Sequence, residues 1–161
     1  LQALLSFSKT KGYAPRMLQA VVDINDERIP RLVKRLDSLK PLKGAQVGVL
    51  GVTFKPGTDD LRESPSVKLA QALLREGARV RVYDETYASM PEKLEERIPG
   101  VRFAGKEELL RQCGLVVVMT ASDAFRKITV PRENEDLIVF DARRILKERL
   151  LPNQYGTGLS E

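Results

Sequence analysis

Three features predict an α/β fold: Val-rich runs of strand length, amphipathic segments alternating with them, and turn residues at the junctions. The architecture expected is a doubly wound parallel sheet in three α/β/α layers, with right-handed crossovers, preceded by a helical arm.

The arm occupies residues 1 to about 38. Gly12, in Lys11-Gly12-Tyr13-Ala14, ends a first helix in a left-handed conformation, and Pro15 opens a second as its first helical residue, where the missing N–H would be unpaired anyway. In the second helix Leu18, Val21, Val22, Ile29, Leu32, Val33 and Leu36 recur at three- and four-residue spacing. That apolar stripe needs a partner, either the chain's own core or a second copy. Asn25 lies on the stripe, and Pro30 removes one backbone hydrogen bond and bends the helix near its middle. Turn formers from Asp37 to Gly44 then make a short linker to a second unit over 45–161.

Ala45 to Gly51 reads as a strand buried on both faces. Ser64 and Pro65 cap and begin a helix whose apolar face is Val67, Ala70, Leu73 and Leu74 and whose end is Gly77. Further strands are expected at Arg79–Tyr83, Val101–Phe103, Leu115–Thr120, Leu137–Asp141 and Gln154–Gly158, with helices at Pro91–Arg97 and Lys106–Gln112.

The bulk numbers exclude several classes. A chain of 161 residues, 42% hydrophobic and 30% charged, suits one main packed core with an appendage. The formal charge of +5 is spread along the chain, which favours anionic ligands but not nucleic acid. A single cysteine, Cys113, and no histidine argue against a disulfide or a zinc site and favour the cytoplasm. No apolar run approaches the roughly 20 residues of a membrane span.

In an open parallel sheet, ligands bind beyond the carboxyl ends of the strands, where the strand order reverses. The loop from Val52 to Glu63 is longer than the roughly two to six residues of an ordinary βα connection. It brings Lys55 and Arg62 beside the following helix N-terminus, a place suited to a phosphate ester. Gly48 and Gly51 permit close backbone approach, but their spacing is not the Gly-x-Gly-x-x-Gly of a dinucleotide site. Asp84 reads as a structural turn former at a strand end. Asp59 and Asp60 either pair with Lys55 or Arg62, orient a substrate hydroxyl, or are solvated. Of Arg143 and Arg144, one can reach a phosphate or ribose at the sheet edge. Cys113 precedes a buried strand with no base near it in sequence, so it packs rather than reacts.

The stretch from Gly48 to Pro65, containing Gly51-Val52-Thr53-Phe54-Lys55-Pro56-Gly57-Thr58-Asp59-Asp60-Leu61-Arg62, resembles the signature of the C-terminal domain of UDP-glucose 6-dehydrogenases and their GDP-mannose and UDP-N-acetylmannosamine relatives. Lys11-Gly12-Tyr13 and the Val22 to Arg28 stretch are similar to that family's central dimerisation region, and Phe140-Asp141-Ala142-Arg143 resembles its Asp-Gly-Arg segment. The resemblance implies a Rossmann-like domain that binds a UDP-sugar, with Phe54 and Lys55 on the UDP-sugar, Arg143 on its ribose or phosphate, and Arg62 reaching NAD across a domain interface. It implies a homodimer through the arm. The intact enzyme would oxidise the sugar C6 alcohol to a carboxylate in two NAD-dependent steps through a cysteine-bound intermediate. The family's NAD domain and catalytic cysteine fall upstream of Leu1, so this chain is expected to bind without catalysing. Departures from the pattern are Thr120-Ala121-Ser122 where the family has Thr-Glu-Trp, and Ala142 where it has Gly. Three other readings are a fragment of a GDP-mannose or UDP-N-acetylmannosamine dehydrogenase, a stand-alone nucleotide- or phosphate-binding regulatory module, and a receiver-like domain with Asp84 or Asp141 as phosphoacceptor.

Overall fold

The computed structural model describes residues 1–87, 89–146 and 153–156. Its described elements, in order, are α1 (Gln2–Thr10), α2 (Arg16–Leu39), β1 (Gln46–Leu50), α3 (Pro65–Arg75), β2 (Arg79–Tyr83), α4 (Glu92–Arg97), β3 (Arg102–Phe103), α5 (Lys106–Gln112), β4 (Leu115–Val118), β5 (Ile138–Asp141) and β6 (Gln154–Gly156), with short 3-10 turns at Asp123–Phe125 and Arg132–Asn134. The strands form one six-stranded sheet in the order β3-β2-β1-β4-β5-β6, and every pairing is parallel. The chain therefore winds outward one way from β1 and the other way from β4. The predicted fold class is the observed one.

The central strands are apolar because both faces are covered. Val47, Val49 and Leu50 of β1 and all of β4 from Leu115 to Val118 have no exposed surface. One core layer joins Val47, Val49 and Val117 to Val67, Ala70 and Leu73 of α3 and to Val33 and Leu36 of α2. The opposite layer joins Leu50, Val116, Val118 and Val139 to Leu109 and Leu110 of α5 and to Phe125. Gly48 serves this second layer. A Cβ there would lie 2.2 Å from Leu109 Cδ2 and 2.7 Å from Leu109 Cγ, so α5 packs directly on the backbone of β1.

The helix ends obey local chemistry. Gly12 takes φ +71, and the N–H groups of Gly12 and Tyr13 donate to Lys9 and Ser8, closing α1 with left-handed capping geometry. Gly77, at φ +82, does the same after α3, with Gly77 and Ala78 donating to Leu74 and Leu73. Pro15 stands one residue earlier than expected. At ψ 84 it is the N-cap of α2 rather than its first helical residue, because that ψ lies far outside the helical range and the helix begins at Arg16. Pro30 does not end α2, which continues to Leu39. Residues 157 and 158 of the expected last strand lie outside the described residues.

The apolar stripe of α2 has two fates. Val33 and Leu36 are buried in the sheet's core, with Ile29 and Leu32 packed against it, while towards the start of the helix Met17, Val21 and Ile24 stay exposed, as do Leu4 and Phe7 of α1. The stripe thus finds a partner within the chain for its second half and for Val22, which is buried, while Val21 is left exposed.

Gly48→Ala tests the contact between α5 and β1. The methyl group overpacks a filled site and is expected to lower unfolding stability by about 1–3 kcal/mol. Urea denaturation that finds the variant as stable as the parent would contradict this packing.

Candidate functional site

The long loop between β1 and α3 is organised by one buried carboxylate. Asp84, directly after β2, is 2% exposed. Its Oδ2 accepts the N–H groups of Val52 at 2.8 Å and Thr53 at 3.0 Å and the Thr53 hydroxyl at 3.0 Å, and its Oδ1 accepts the Thr86 N–H at 3.0 Å. Burial pushes this carboxyl's pKa up. The donated hydrogen bonds, from Thr53, Thr86 and Val52, outweigh burial and hold it below the ordinary carboxylate value. Asp84 is structural, as expected, and both oxygens are spent on the chain itself, so the ribose-binding role of a dinucleotide domain's acidic residue is closed to it.

Gly51, at φ +86, lets β1 turn into the loop, and its N–H donates to Tyr83 O at 2.7 Å. A Cβ on Gly51 would lie 2.3 Å from Thr120 Cβ, and Thr120 Oγ1 donates to Thr53 O at 3.3 Å. The floor of the crevice between β1 and β4 is therefore filled by a threonine rather than open to a ligand.

The N-terminus of α3, beside which the sequence suggests a phosphate seat, carries a cap of its own. Ser64 Oγ donates to Val52 O at 2.7 Å and accepts the Ser66 N–H at 3.2 Å, Pro65 has no N–H to offer, and Ser64 and Ser66 are each 1% exposed. With these groups spent on the chain itself, an anion at this edge would have to be met by side chains projecting outward.

Those side chains are present. Phe54 is 51% exposed although its backbone is pinned, its N–H donating to Asp60 O at 2.8 Å; Lys55 beside it is exposed. Arg62 is held by Asp60 in a two-point pair, Nε to Oδ1 and Nη2 to Oδ2, each 3.0 Å. This pairing draws the Asp60 carboxyl down to about 2. Asp59 pairs with Lys93 at 3.4 Å, not with Lys55, and its carbonyl accepts the Tyr87 hydroxyl at 2.8 Å, which braces the loop from the β2 side. Across the sheet, buried Asp141 ends β5 and accepts the N–H groups of Arg143 at 2.9 Å and Leu146 at 2.8 Å. It presents Arg143 exposed on the following loop.

Phe54, Lys55, Arg62 and Arg143 thus all leave the carboxyl edge of one parallel sheet, on the loops after β1 and β5. The sequence does not reveal the ties of Asp84, Thr120 and Tyr87 to the loop, which span 28 to 67 residues. Only the pairing of Asp60 with Arg62, two residues apart, was visible as a local pattern. Cys113 has no exposed surface, and burial pushes its thiol up to about 11. It packs, as expected, and is not a nucleophile at neutral pH. Among the described residues no group of His, Cys, Asp and Glu could hold a metal ion, and no helix is long and apolar enough to cross a membrane.

A family model described as the UDP-glucose/GDP-mannose dehydrogenase family, UDP binding domain, matches residues 48–148. The UDP-glucose 6-dehydrogenase AglM of Haloferax volcanii is 38% identical over 149 residues, covering 91% of this chain and 34% of that protein. The UDP-glucose 6-dehydrogenase of Rhizobium meliloti is 28% identical over 91% of this chain and 34% of its own length. Among solved structures, a UDP-glucose dehydrogenase from Pyrobaculum islandicum superposes with a TM-score of 0.84 and 31% identity, covering 98% of this chain and 36% of that one. A GDP-mannose dehydrogenase from Pseudomonas aeruginosa shares the fold at a TM-score of 0.76 and 23% identity, over 96% of this chain and 37% of that one. The chain spans about a third of the length of these relatives.

Asp84→Ala tests the loop's anchor. It strands the buried N–H groups of Val52 and Thr53 and is expected to cost at least about 3 kcal/mol, at ~1–3 kcal/mol for each such donor. Asp84 has a folded pKa below its unfolded value of about 3.9, so its contribution is full above about pH 4 and is lost as pH falls through the folded value. The gap between parent and variant in urea denaturation should therefore narrow from pH 5 towards pH 3. A gap that does not change with pH would show that the carboxylate's charge is not what holds the loop.

Proposed function

This chain belongs to the UDP-glucose/GDP-mannose dehydrogenase family, and we propose that it binds the UDP-sugar through the loops leaving β1 and β5, for an enzyme that oxidises UDP-glucose to UDP-glucuronate with two NAD. The observation that carries this reading is the contrast within the β1–α3 loop. Its floor and the α3 N-terminus are closed by the chain's own hydrogen bonds, while Phe54 and Lys55 project outward from a pinned backbone. A half-exposed aromatic ring offers a face for a sugar or base, and an ammonium beside it supplies charge for a diphosphate. Arg143, on the loop after β5, offers a guanidinium fork from the other side of β4 to the ribose or phosphate.

NAD, which accepts hydride from the sugar when bound, meets this chain at a single place. The Arg62 side chain is 80% exposed, and with Nε and Nη2 turned to Asp60 its remaining N–H groups face outward. That fits one contact to a dinucleotide phosphate. It does not make a dinucleotide site, because Asp84 is consumed and the glycine fingerprint is missing. The oxidation needs a thiolate, and Cys113 is buried and held protonated; this chain's part is to bind and orient.

The helical segment 1–38 serves as a homodimer contact. Leu4, Phe7, Met17, Val21 and Ile24 are exposed together on α1 and the first half of α2, and clustered apolar surface of this kind marks an association face. The unit over 45–161 is the nucleotide-sugar domain. A free, buried cysteine suits a cytoplasmic protein.

Titration calorimetry with UDP, UDP-glucose and GDP-mannose tests the binding role. Lys55→Ala and Arg143→Ala are each expected to weaken UDP ligands by about tenfold or more, the loss of a charge-assisted hydrogen bond worth ~1.5–3 kcal/mol; equal affinity in both variants would place the site elsewhere. The dimer is tested by sedimentation. The parent should run as a dimer and the double variant Phe7→Glu with Ile24→Glu as a monomer, and a monomeric parent would refute the contact.

A further inference from the structure

We propose that Asp60 is the positioning residue of the ligand loop, fixing the Arg62 guanidinium with its carboxylate and the Phe54 backbone with its carbonyl. The inference deepens the nucleotide-sugar reading and rests on it for the identity of the ligand. Asp60 touches no proposed ligand itself. It acts through its two neighbours.

Three hydrogen bonds meet on its carboxylate. Oδ1 accepts the Arg62 N–H at 2.9 Å and Arg62 Nε at 3.0 Å, and Oδ2 accepts Nη2 at 3.0 Å. The first closes a local turn between residues 60 and 62, in which a short carboxylate holds the backbone N–H two residues on. The other two make a planar fork, so the guanidinium keeps one orientation rather than sweeping through its many rotamers. A lysine at position 62 could not be held in this way.

The same residue controls the opposite end of the loop. Once the turn from 60 to 62 is closed, the Asp60 carbonyl points at Phe54, whose N–H it accepts at 2.8 Å. Thr58 supports the arrangement by accepting the Asp60 N–H at 3.4 Å while donating to Lys55 O at 3.3 Å. Residues 54–62 thus form a closed ring of short-range hydrogen bonds centred on Asp60. Phe54 and Lys55 stand on the side assigned to the sugar nucleotide, and Arg62 stands on the side assigned to the cofactor. Loosening the centre should disturb both ends.

The experiment compares the parent chain with Asp60→Ala and Asp60→Asn. It reads amide hydrogen exchange at Phe54 and Arg62, UDP affinity by calorimetry, and thermal stability. Asp60→Ala should speed exchange at both amides by at least about tenfold and weaken UDP by about five- to tenfold, a loss near 1–1.4 kcal/mol. Its melting temperature should stay close to the parent's, because Asp60 lies outside the buried core. Asp60→Asn keeps an oxygen for the Arg62 N–H and should recover most of the exchange protection and most of the UDP affinity. Exchange at Phe54 unchanged in Asp60→Ala would overturn the proposal. So would faster exchange with unaltered UDP affinity. If the parent fails to bind UDP while exchange responds as described, the nucleotide-sugar reading falls and the setting of the loop by Asp60 stands.

Discussion

A carboxylate taken out of water must recover its hydration from protein donors, and at Asp84 those donors are the backbone of a different loop. This one requirement ties the end of β2 to the start of the β1–α3 connection. With Val52 and Thr53 drawn to Asp84, the remainder of the loop has to arch outward before it returns to Ser64 and enters α3. The exposed positions of Phe54 and Lys55 follow from that arch. An apolar side chain at 84 would leave the same backbone donors buried and unpaired, so the anchor and the exposure of the loop belong to one physical arrangement.

The same anchoring accounts for how this domain departs from a dinucleotide-binding sheet of the same topology. There, a glycine-rich turn, an open helix N-terminus and a free acidic side chain together receive the cofactor. Here Ser64 caps the helix, Thr120 fills the crevice against Gly51, and Asp84 is saturated. In the proposed site, recognition therefore falls to projecting side chains rather than to backbone N–H groups. Side chains on loops need support of their own, and the Asp60 ring, the brace from Tyr87 to Asp59 and the turn at Asp141 supply it.

Much of this was legible in the sequence. The strands are so because a parallel sheet covered on both faces demands unbroken apolar runs, and Val116-Val117-Val118 or Val47 to Leu50 admit few other fates. Gly12 and Gly77 were legible because a left-handed helix end leaves a local mark. The flanking short turns at Asp123–Phe125 and Arg132–Asn134 were not, since three residues carry no periodicity. Pro15 shows the usual one-residue uncertainty of a helix start. The cap of α3 is legible in Ser64-Pro65, but only in part. The Ser64 hydroxyl also reaches back to Val52, and a contact across 12 residues of irregular chain leaves no pattern to read. The stripe on α2 is ambiguous in sequence because its second half is buried against the sheet while its first half is split, with Val22 buried and Val21 exposed.

The most direct test of the account is to follow the backbone amide signals of the chain while UDP is added. Saturable shifts concentrated at residues 53–62 and 142–144 are predicted, with the amino ends of the strands, at Gln46, Arg79 and Leu115, left undisturbed. Shifts gathered instead at those amino ends, or in the groove between α2 and α3 around Asn25 and Arg75, would contradict the placement of the nucleotide at the carboxyl edge of the sheet.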